Sequence, residues 1–387
     1  MASGSNPNLW WFNTFLASSP YVIGVGSYFL KSIFGAKPGL VARTPRAASG
    51  YLGARVESAA YLPHDRAMKK ILVLGGTGFV GAHVCEKLVR EGWAVTVPTR
   101  RRANANHIKL LPGLTVLELD VHDEAALNQA VTGQDAVVNL VAILHGDQAA
   151  FERTHVALPR KIAKACLAHG VKQLVHVSAL GTDALQPQTL PSMYLRSKGE
   201  GEAVLIQAAT GAVAGSSERG GFDLSILRPS VIFGARDKFL NVFAKLQKIF
   251  PLLPLAGANA QFQPVWVQDV ASAVVRCLAG ASQAASPRTI EVVGPEVFTL
   301  KQLVQLSGQL AGLGGGFGRP VFGLPDWAAR LQAKLMGLAP GEPVMSTDNL
   351  DSMKVPNVAT GKFPGLDSLG ITASALQPIA QGYLQGR

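Results

Sequence analysis

Lys69-Lys70-Ile71-Leu72-Val73-Leu74-Gly75-Gly76-Thr77-Gly78-Phe79-Val80-Gly81 is the stretch that decides the fold. An apolar run rich in leucine and β-branched residues predicts a buried parallel strand. Gly75, Gly78 and Gly81 follow at intervals of three, and Ala82 to Arg90 predicts a helix with Val84, Leu88 and Cys85 on one face. Strand, glycine turn and helix in succession are the context in which such a pattern binds a dinucleotide. Gly75 permits a tight turn, Gly78 lets a pyrophosphate approach the backbone, and Gly81 lets the helix pack close to the sheet. The unpaired N–H groups at the helix N-terminus would receive the phosphates. A glycine turn that binds nothing is the competing reading, and the flanking elements weaken it.

Downstream the chain alternates strand and helix, the pattern of a doubly wound parallel α/β sheet of the Rossmann type. Strands are predicted at Ala94–Val97, Leu114–Asp120, Ala136–Ala142, Gln173–Ser178 and Leu224–Pro229, with helix-period segments at Leu158–Ala168 and Lys198–Ala208. A Gly/Ser-rich loop, Thr210 to Gly221, precedes the sixth strand. After Gly234 the pattern is less regular. The division expected is therefore 68–234 for the dinucleotide-binding domain and 235–387 for a smaller C-terminal substrate or partner region.

Upstream, residues 1–67 differ in character. Leu9 to Leu30 is 22 residues without a charge, long enough to span a bilayer, though Asn13, Pro20, Gly24 and Gly26 interrupt it. The positive charges follow this run instead of preceding it, unlike a secretory signal. As a span it would leave the body on the cytoplasmic side. An extension or processed leader, including a mitochondrial-type presequence, is preferred to an anchor, because the first strand begins directly behind Met68.

The whole chain of 387 residues is 48% apolar and 16% charged, which fits an ordered globular protein. The formal charge is +11, and residues 1–67 hold six basic residues against two acids. No dense basic stripe with interleaved aromatics is present, so nucleic acid is not an expected partner. Anionic cofactors, an acidic partner or a membrane surface account better for the charge. Cys85, Cys166 and Cys277 lack metal-ligand spacing and are expected to be buried thiols. No metal site is expected.

An acid about 20 residues beyond the glycine motif would accept the ribose hydroxyls of NAD. Here Arg100-Arg101-Arg102 stands at that place, and a planar cation there suits the 2′-phosphate of NADP. NADP(H) is therefore expected, with NAD(H) as the alternative. Arg100 is the best placed; a solvated basic loop is the plain reading of the other two. Asp120 is a candidate for the adenine amino group, or an ordinary helix cap. Candidate cofactor contacts also take in Thr77, Phe79 and Val80 in the loop, Val121 after the third strand, Val141 and Ala142 after the fourth, and Pro229 at the end of the sixth.

Tyr194-x-x-x-Lys198 places two side chains one turn apart on a helix face. An ammonium beside a phenol favours the phenolate and lowers its pKa. Such a tyrosine exchanges a proton with a carbonyl or hydroxyl while hydride moves to or from a nicotinamide. Ser178, 16 residues earlier, is a candidate to hold the same oxygen.

Gly75-Gly76-Thr77-Gly78-Phe79-Val80-Gly81, the Tyr194/Lys198 pair and Leu227-Arg228-Pro229-Ser230-Val231-Ile232-Phe233-Gly234 resemble the extended or atypical, epimerase-like branch of the short-chain dehydrogenase/reductases. More closely, the chain is similar to the family of the NADPH-binding accessory subunit of respiratory complex I and its bacterial homologues. His176–Gly181, Ser192–Glu202, Gln263–Ala271, Val293–Glu296 and Met345–Leu350 carry that likeness, which covers Met68 to about Leu384. It implies bound NADPH contacted by the glycine loop and Arg100. It implies Tyr194, Lys198 and Ser178 as catalytic candidates, with Tyr194 and Lys198 also touching the cofactor, and complex I or another membrane-associated complex as a partner. The location implied is cytoplasmic, or peripheral on the cytoplasmic or matrix face of the inner membrane. Two departures shift weight from Ser178 to the Tyr194/Lys198 pair. The fourth strand ends in Asn139-Leu140-Val141-Ala142, not an Asn-Ala-Gly type of stretch, and the Ser178–Tyr194 gap is short for an epimerase.

Three functions stay open on sequence: a cofactor-holding accessory or assembly protein of a quinone-reducing complex, an NADP-dependent reductase, epimerase or dehydratase acting on a sugar, isoprenoid or quinone-like substrate, and a tethered interaction protein with a vestigial site. The amphipathic stretch Trp327–Met336, with Trp327, Leu331 and Leu335 aligned, is expected to pack on the small domain, with a membrane or partner surface as the alternative.

Overall fold

β1 (Lys70–Leu74) alternates its side chains between two cores: Ile71 and Val73 face one, Leu72 and Leu74 the other. That double burial requires helices on both sides of the sheet. The structure, a computed structural model, describes residues 68–211, 221–280, 285–337 and 345–385. Residues 1–67, with the apolar run read as a leader or anchor, and most of the Gly/Ser-rich loop lie outside the described residues.

The described chain runs β1, α1 (Phe79–Arg90), β2 (Ala94–Thr99), β3 (Leu114–Glu118), α2 (Glu124–Val131), β4 (Ala136–Asn139), α3 (Gln148–Phe151), a π-helical turn (Glu152–Ala157), α4 (Leu158–Ala168), β5 (Gln173–Val177), α5 (Met193–Ala209) and β6 (Asp223–Pro229). It continues as β7 (Ile232–Phe233), α6 (Leu240–Ile249), β8 (Leu253–Leu255), β9 (Gln261–Phe262), β10 (Val265–Trp266), α7 (Val267–Leu278), β11 (Arg288–Val292), β12 (Phe298–Thr299), α8 (Leu300–Leu310), β13 (Val321–Gly323), α9 (Asp326–Gly337), α10 (Thr347–Ser352) and α11 (Leu376–Leu384).

Seven strands form one sheet in the order β11-β6-β5-β4-β1-β2-β3, every pairing parallel. The strand order reverses between β1 and β4, which makes that crevice the switch point where ligands of such sheets bind. Helices α1 and α7 cover one face through Val84, Leu88, Val270 and Val274. Helices α2, α4 and α5 cover the other through Leu127, Leu158, Ile162, Cys166 and Leu205. In α4 the last of these, Leu158, Ile162 and Cys166, recur every four residues, as the helical period demands.

The fold is the doubly wound α/β sheet expected, with details that the periodicity left out. The fourth strand stops at Asn139, because Asn139 Oδ1 accepts from the Val141 N–H at 3.2 Å and turns the chain out of the ladder. The seventh strand, β11, comes from the region beyond Gly234 and pairs with β6 from Arg288↔Ser225 to Val292↔Pro229. Helix α7 of the same region packs on α1. The later chain therefore completes the sheet as well as forming the smaller cores around Leu303, Leu300 and Met345. All three cysteines are buried and free.

Candidate functional site

The glycine loop is shaped by contacts that only hydrogen at Cα permits. A Cβ on Gly81 would stand 2.2 Å from the Gly75 carbonyl oxygen and 2.6 Å from Gly76 Cα. A Cβ on Gly76 would stand 2.8 Å from Val97 Cγ1, so the loop lies directly on β2. Gly75 has φ +82, and a Cβ there would meet Val141 N at 3.2 Å, which places the loop against the end of β4 at the switch point. Gly78, by contrast, is exposed and is the N-cap of α1, with no side chain capping it. Thr77, Phe79 and Val80 are half-buried around it. The start of α1 is thus packed from below and open above, as a pyrophosphate cradle requires.

Helix α5 begins in the opposite way. Asp348, from α10, accepts from the N–H groups of Met193 and Tyr194 at 2.7 and 3.1 Å, and Ser192 Oγ accepts from Leu195 N at 3.1 Å. Its first donors are satisfied by the protein itself, leaving no anion site. Tyr194, Lys198 and Glu202 then form one stripe along α5. Lys198 is buried, and its ammonium donates to the Val177 carbonyl at 2.8 Å, tying α5 to the end of β5 beside Ser178. Burial lowers the Lys198 pKa to about 8, opposed by Glu202. Glu202 is held by Arg228 through Nε at 3.0 Å and Nη2 at 2.5 Å, and by Thr182 Oγ1 at 2.8 Å. A buried fork of this kind costs about 3–5 kcal/mol to break from one side, because the other charge is left unpaired.

The Tyr194 ring lies edge-on to His155, centroids 5.6 Å apart, and to Phe151 at 6.3 Å. Burial pushes its phenol up to about 12. This corrects the expectation of a phenol lowered by Lys198. One ammonium N–H goes to the Val177 carbonyl, and desolvation of the phenolate sets the direction of the Tyr194 shift.

His155 was not read from the sequence. The π-helical turn brings it inward, and such turns are frequent at functional sites. Its Nε2 accepts from the Ile143 N–H at 3.1 Å, so the proton of the neutral ring is on Nδ1, 2.9 Å from Ser197 Oγ. Ser197 in turn donates to the Tyr194 carbonyl at 2.9 Å. Burial, with Lys198 second, lowers the His155 pKa to about 2. The only sequence signal was a histidine followed by Pro159, which has no N–H to return to the His155 carbonyl. That carbonyl faces Gly201, where a Cβ would stand 2.0 Å away.

Two buried polar atoms close by have no partner: Ser178 Oγ and His176 Nε2. The other His176 nitrogen, Nδ1, is 3.1 Å from Asn139 Nδ2 across the β4–β5 ladder. A buried hydroxyl without a protein partner at the end of β5 has its hydrogen-bonding capacity open to a water or a ligand oxygen.

On the other side of the glycine loop, Arg100 follows β2 and is exposed, as are Arg101 and Arg102. The Arg102 N–H donates to Glu118 at 3.3 Å. His122, after β3, is lowered by burial first, then by Arg153, Lys161 and Arg100, against Asp120. Of these cations Lys161 makes a direct contact, its ammonium donating to the His122 carbonyl at 2.7 Å. Asp120 accepts from the His122 N–H at 3.0 Å, and the helix cap is Asp123 instead. Val121 and Val141 pack on the core and Ala142 is exposed. Pro229 is buried, its carbonyl accepting from Leu180 N at 2.9 Å. Strand order separates the candidates into two groups: Arg100, Asp120 and Val121 beyond β1 on the β2–β3 side, and Val141, Ser178, Tyr194 and Lys198 on the β4–β5 side.

A family model described as the NAD dependent epimerase/dehydratase family matches residues 71–293. The chain is 31% identical over 331 residues to NADH dehydrogenase (ubiquinone) 1 alpha subcomplex subunit 9, mitochondrial, of Mus musculus, covering 82% of this chain and 82% of that protein. Among solved structures it resembles the NADPH-dependent quinone oxidoreductase QOR2 complexed with NADPH from Escherichia coli, with a TM-score of 0.61, 20% identity, and coverage of 81% and 99%. It also resembles UDP-glucose 4-epimerase with UDP-glucose from Thermotoga maritima, with a TM-score of 0.59, 18% identity, and coverage of 81% and 97%. At these identities the structural likeness speaks to the fold.

Proposed function

The chain belongs to the NAD dependent epimerase/dehydratase family, and from that membership we propose that it is a resident holder of a nicotinamide dinucleotide, NADP(H) in preference to NAD(H), acting as a peripheral subunit or assembly partner of a quinone-reducing respiratory complex. The observation that carries the cofactor is the glycine cradle, closed below by the Gly81–Gly75 contact and open above at Gly78. Its backbone N–H groups would hold the pyrophosphate. Arg100, exposed directly after β2, would hold a 2′-phosphate. The likeness to the complex I subunit supports the partner and a place on the matrix or cytoplasmic face of the membrane.

Among the described residues no helix is long and apolar enough to cross a membrane. Bound nicotinamide would supply or accept a hydride. Tyr194, kept protonated by burial, and the unpartnered Ser178 Oγ would together hold an oxygen beside it. Those two residues support the second reading, an NADP-dependent reductase or epimerase. The holder is preferred because the Ser178–Tyr194 gap is short for an epimerase and burial raises the Tyr194 phenol.

Mass spectrometry of ligand released from the purified protein tests the cofactor. NADP(H) in near-equimolar amount is expected. Release of no nucleotide, together with no thermal stabilisation by either dinucleotide, would falsify the proposal. Turnover of NADPH with quinone or nucleotide-sugar substrates would replace the holder by the enzyme.

A further inference from the structure

We propose that the face formed by α9, the end of α6 and the β8–β13 ribbon is a docking surface for an anionic phospholipid bilayer. It rests on the reading of the protein as a peripheral membrane-complex subunit and says which side faces the lipid. In α9, Ala329 and Ala333 are the buried residues, whereas Trp327, Leu331 and Leu335 are 72%, 52% and 59% exposed. Those three residues recur every four positions, so they form one outward stripe. The sequence expectation was that this large apolar face packs on the small domain; the structure packs the alanine face instead.

The stripe is not isolated. Gln332 Nε2 on α9 donates to the Pro254 carbonyl in β8 at 3.4 Å, and β8 pairs with β13, Pro254 against Phe322. Leu253 N donates to Pro320 O at 3.0 Å, and Arg319 N to Gln247 Oε1 of α6 at 2.9 Å. These bonds bring exposed Ile249, Phe250, Leu252, Phe317 and Phe322 to the same neighbourhood. An exposed apolar cluster of this kind marks an interaction site, unlike single scattered side chains.

The charge chooses the occupant. Segments 240–262 and 300–337 contain Lys245, Lys248, Lys301, Arg319, Arg330 and Lys334 against a single acid, Asp326. Arg330 pairs with Asp326 at 3.1 Å and with Asp351 of α10 at 3.0 Å, and Lys354 pairs with Asp351 at 2.7 Å, so these two acids and two bases balance and the lysines are left in excess. Lys245, Lys248 and Lys334 are exposed beside the apolar side chains. Trp and Phe with interspersed lysines suit the headgroup layer, where rings enter the acyl boundary and ammonium groups meet lipid phosphates.

The test is co-sedimentation of the full chain with vesicles of phosphatidylcholine, with and without cardiolipin. Binding is expected only with cardiolipin, and it should weaken as salt rises. Lys248→Glu with Lys334→Glu should lower the partition at least roughly tenfold. Trp327→Ser with Leu331→Ser should do the same at low salt. Equal binding to neutral vesicles, or binding indifferent to both pairs of substitutions, overturns the proposal; the second result would move the lipid contact elsewhere in the chain. A dimer in sedimentation velocity that dissociates on Leu331→Ser also overturns it, by making the face an interface between copies. Stabilisation by NADPH is measured on the same samples. Its loss with vesicle binding intact fails the cofactor reading, and the converse fails this one.

Discussion

Asp348 accepts the backbone N–H of Tyr194 at 3.1 Å, so a carboxylate 154 residues further along the chain seals the helix that carries the phenol. The same carboxylate takes the Met193 N–H, and Ser352 Oγ of α10 bonds Ser192 Oγ at 2.8 Å. Asp348→Ala should cost about 1–2 kcal/mol, the usual worth of a helix cap. Asp348→Asn should recover part of it. Urea unfolding measures both, and an unchanged midpoint for the alanine variant would show that the cap does not anchor α5.

Arg100 sets the expected preference for NADPH. Arg100→Asp should weaken NADPH by roughly 1.5–3 kcal/mol, the range of a hydrogen bond to a charged group, while affecting NADH less. Calorimetric titration with both dinucleotides checks it. Equal affinities in the unsubstituted protein would remove the role of Arg100.

Gly81 and Gly78 should fail differently. Gly81→Ala forces its Cβ into the Gly75 carbonyl, 2.2 Å away, so the loop must move, at about 1–3 kcal/mol. Gly78→Val meets only the Gly75 carbonyl at 3.2 Å and should spare most of the stability while abolishing dinucleotide binding. Thermal melts with and without NADPH separate the two. A Gly78→Val protein still stabilised by NADPH would place the pyrophosphate elsewhere.

Ser178 and Tyr194 distinguish holder from enzyme. Ser178→Ala removes a buried hydroxyl without a partner, so ligand-free stability should hold or rise by about 1 kcal/mol. Tyr194→Phe should leave NADPH affinity nearly unchanged and, in a holder, leave respiratory-complex levels unchanged. NADPH oxidation that stops in Tyr194→Phe would establish the phenol as a catalytic group.

Acid should destabilise the protein through His155 and His176. Burial lowers both imidazoles, His155 from 6.5 to about 2 and His176 well below 6.5. Below pH 6.5 the unfolded chain binds protons that the folded chain refuses. Their contribution is therefore fully present above that pH and is lost progressively as pH falls below it, down to about 2 for His155. Each such group steepens the decline by about 1.4 kcal/mol per pH unit. His155→Phe should remove one of the two slopes in urea titrations at successive pH values, and an unaltered slope would show that His155 is charged in the folded protein.

The local elements were legible in the sequence because their causes are local. Two-residue alternation in Ile71–Leu74, the three-residue glycine spacing and the four-residue recurrence of Leu158, Ile162 and Cys166 each depend on neighbours along the chain. They yielded β1, the cradle, α4 and the doubly wound α/β class. The tertiary structure decided what depends on partners far away. Asp348 reaches α5, and β11 joins β6, only once the later chain folds back. His155 gains its tautomer from Ile143 and its place from a π-helical turn that no periodicity announces. In α9 the period is the same for the alanine and the tryptophan faces, so packing alone chose which was buried. The sign of the Tyr194 shift turned on the same distinction. Sequence put a lysine one turn away, but the folded chain gave that lysine the Val177 carbonyl, and desolvation of the phenol prevailed.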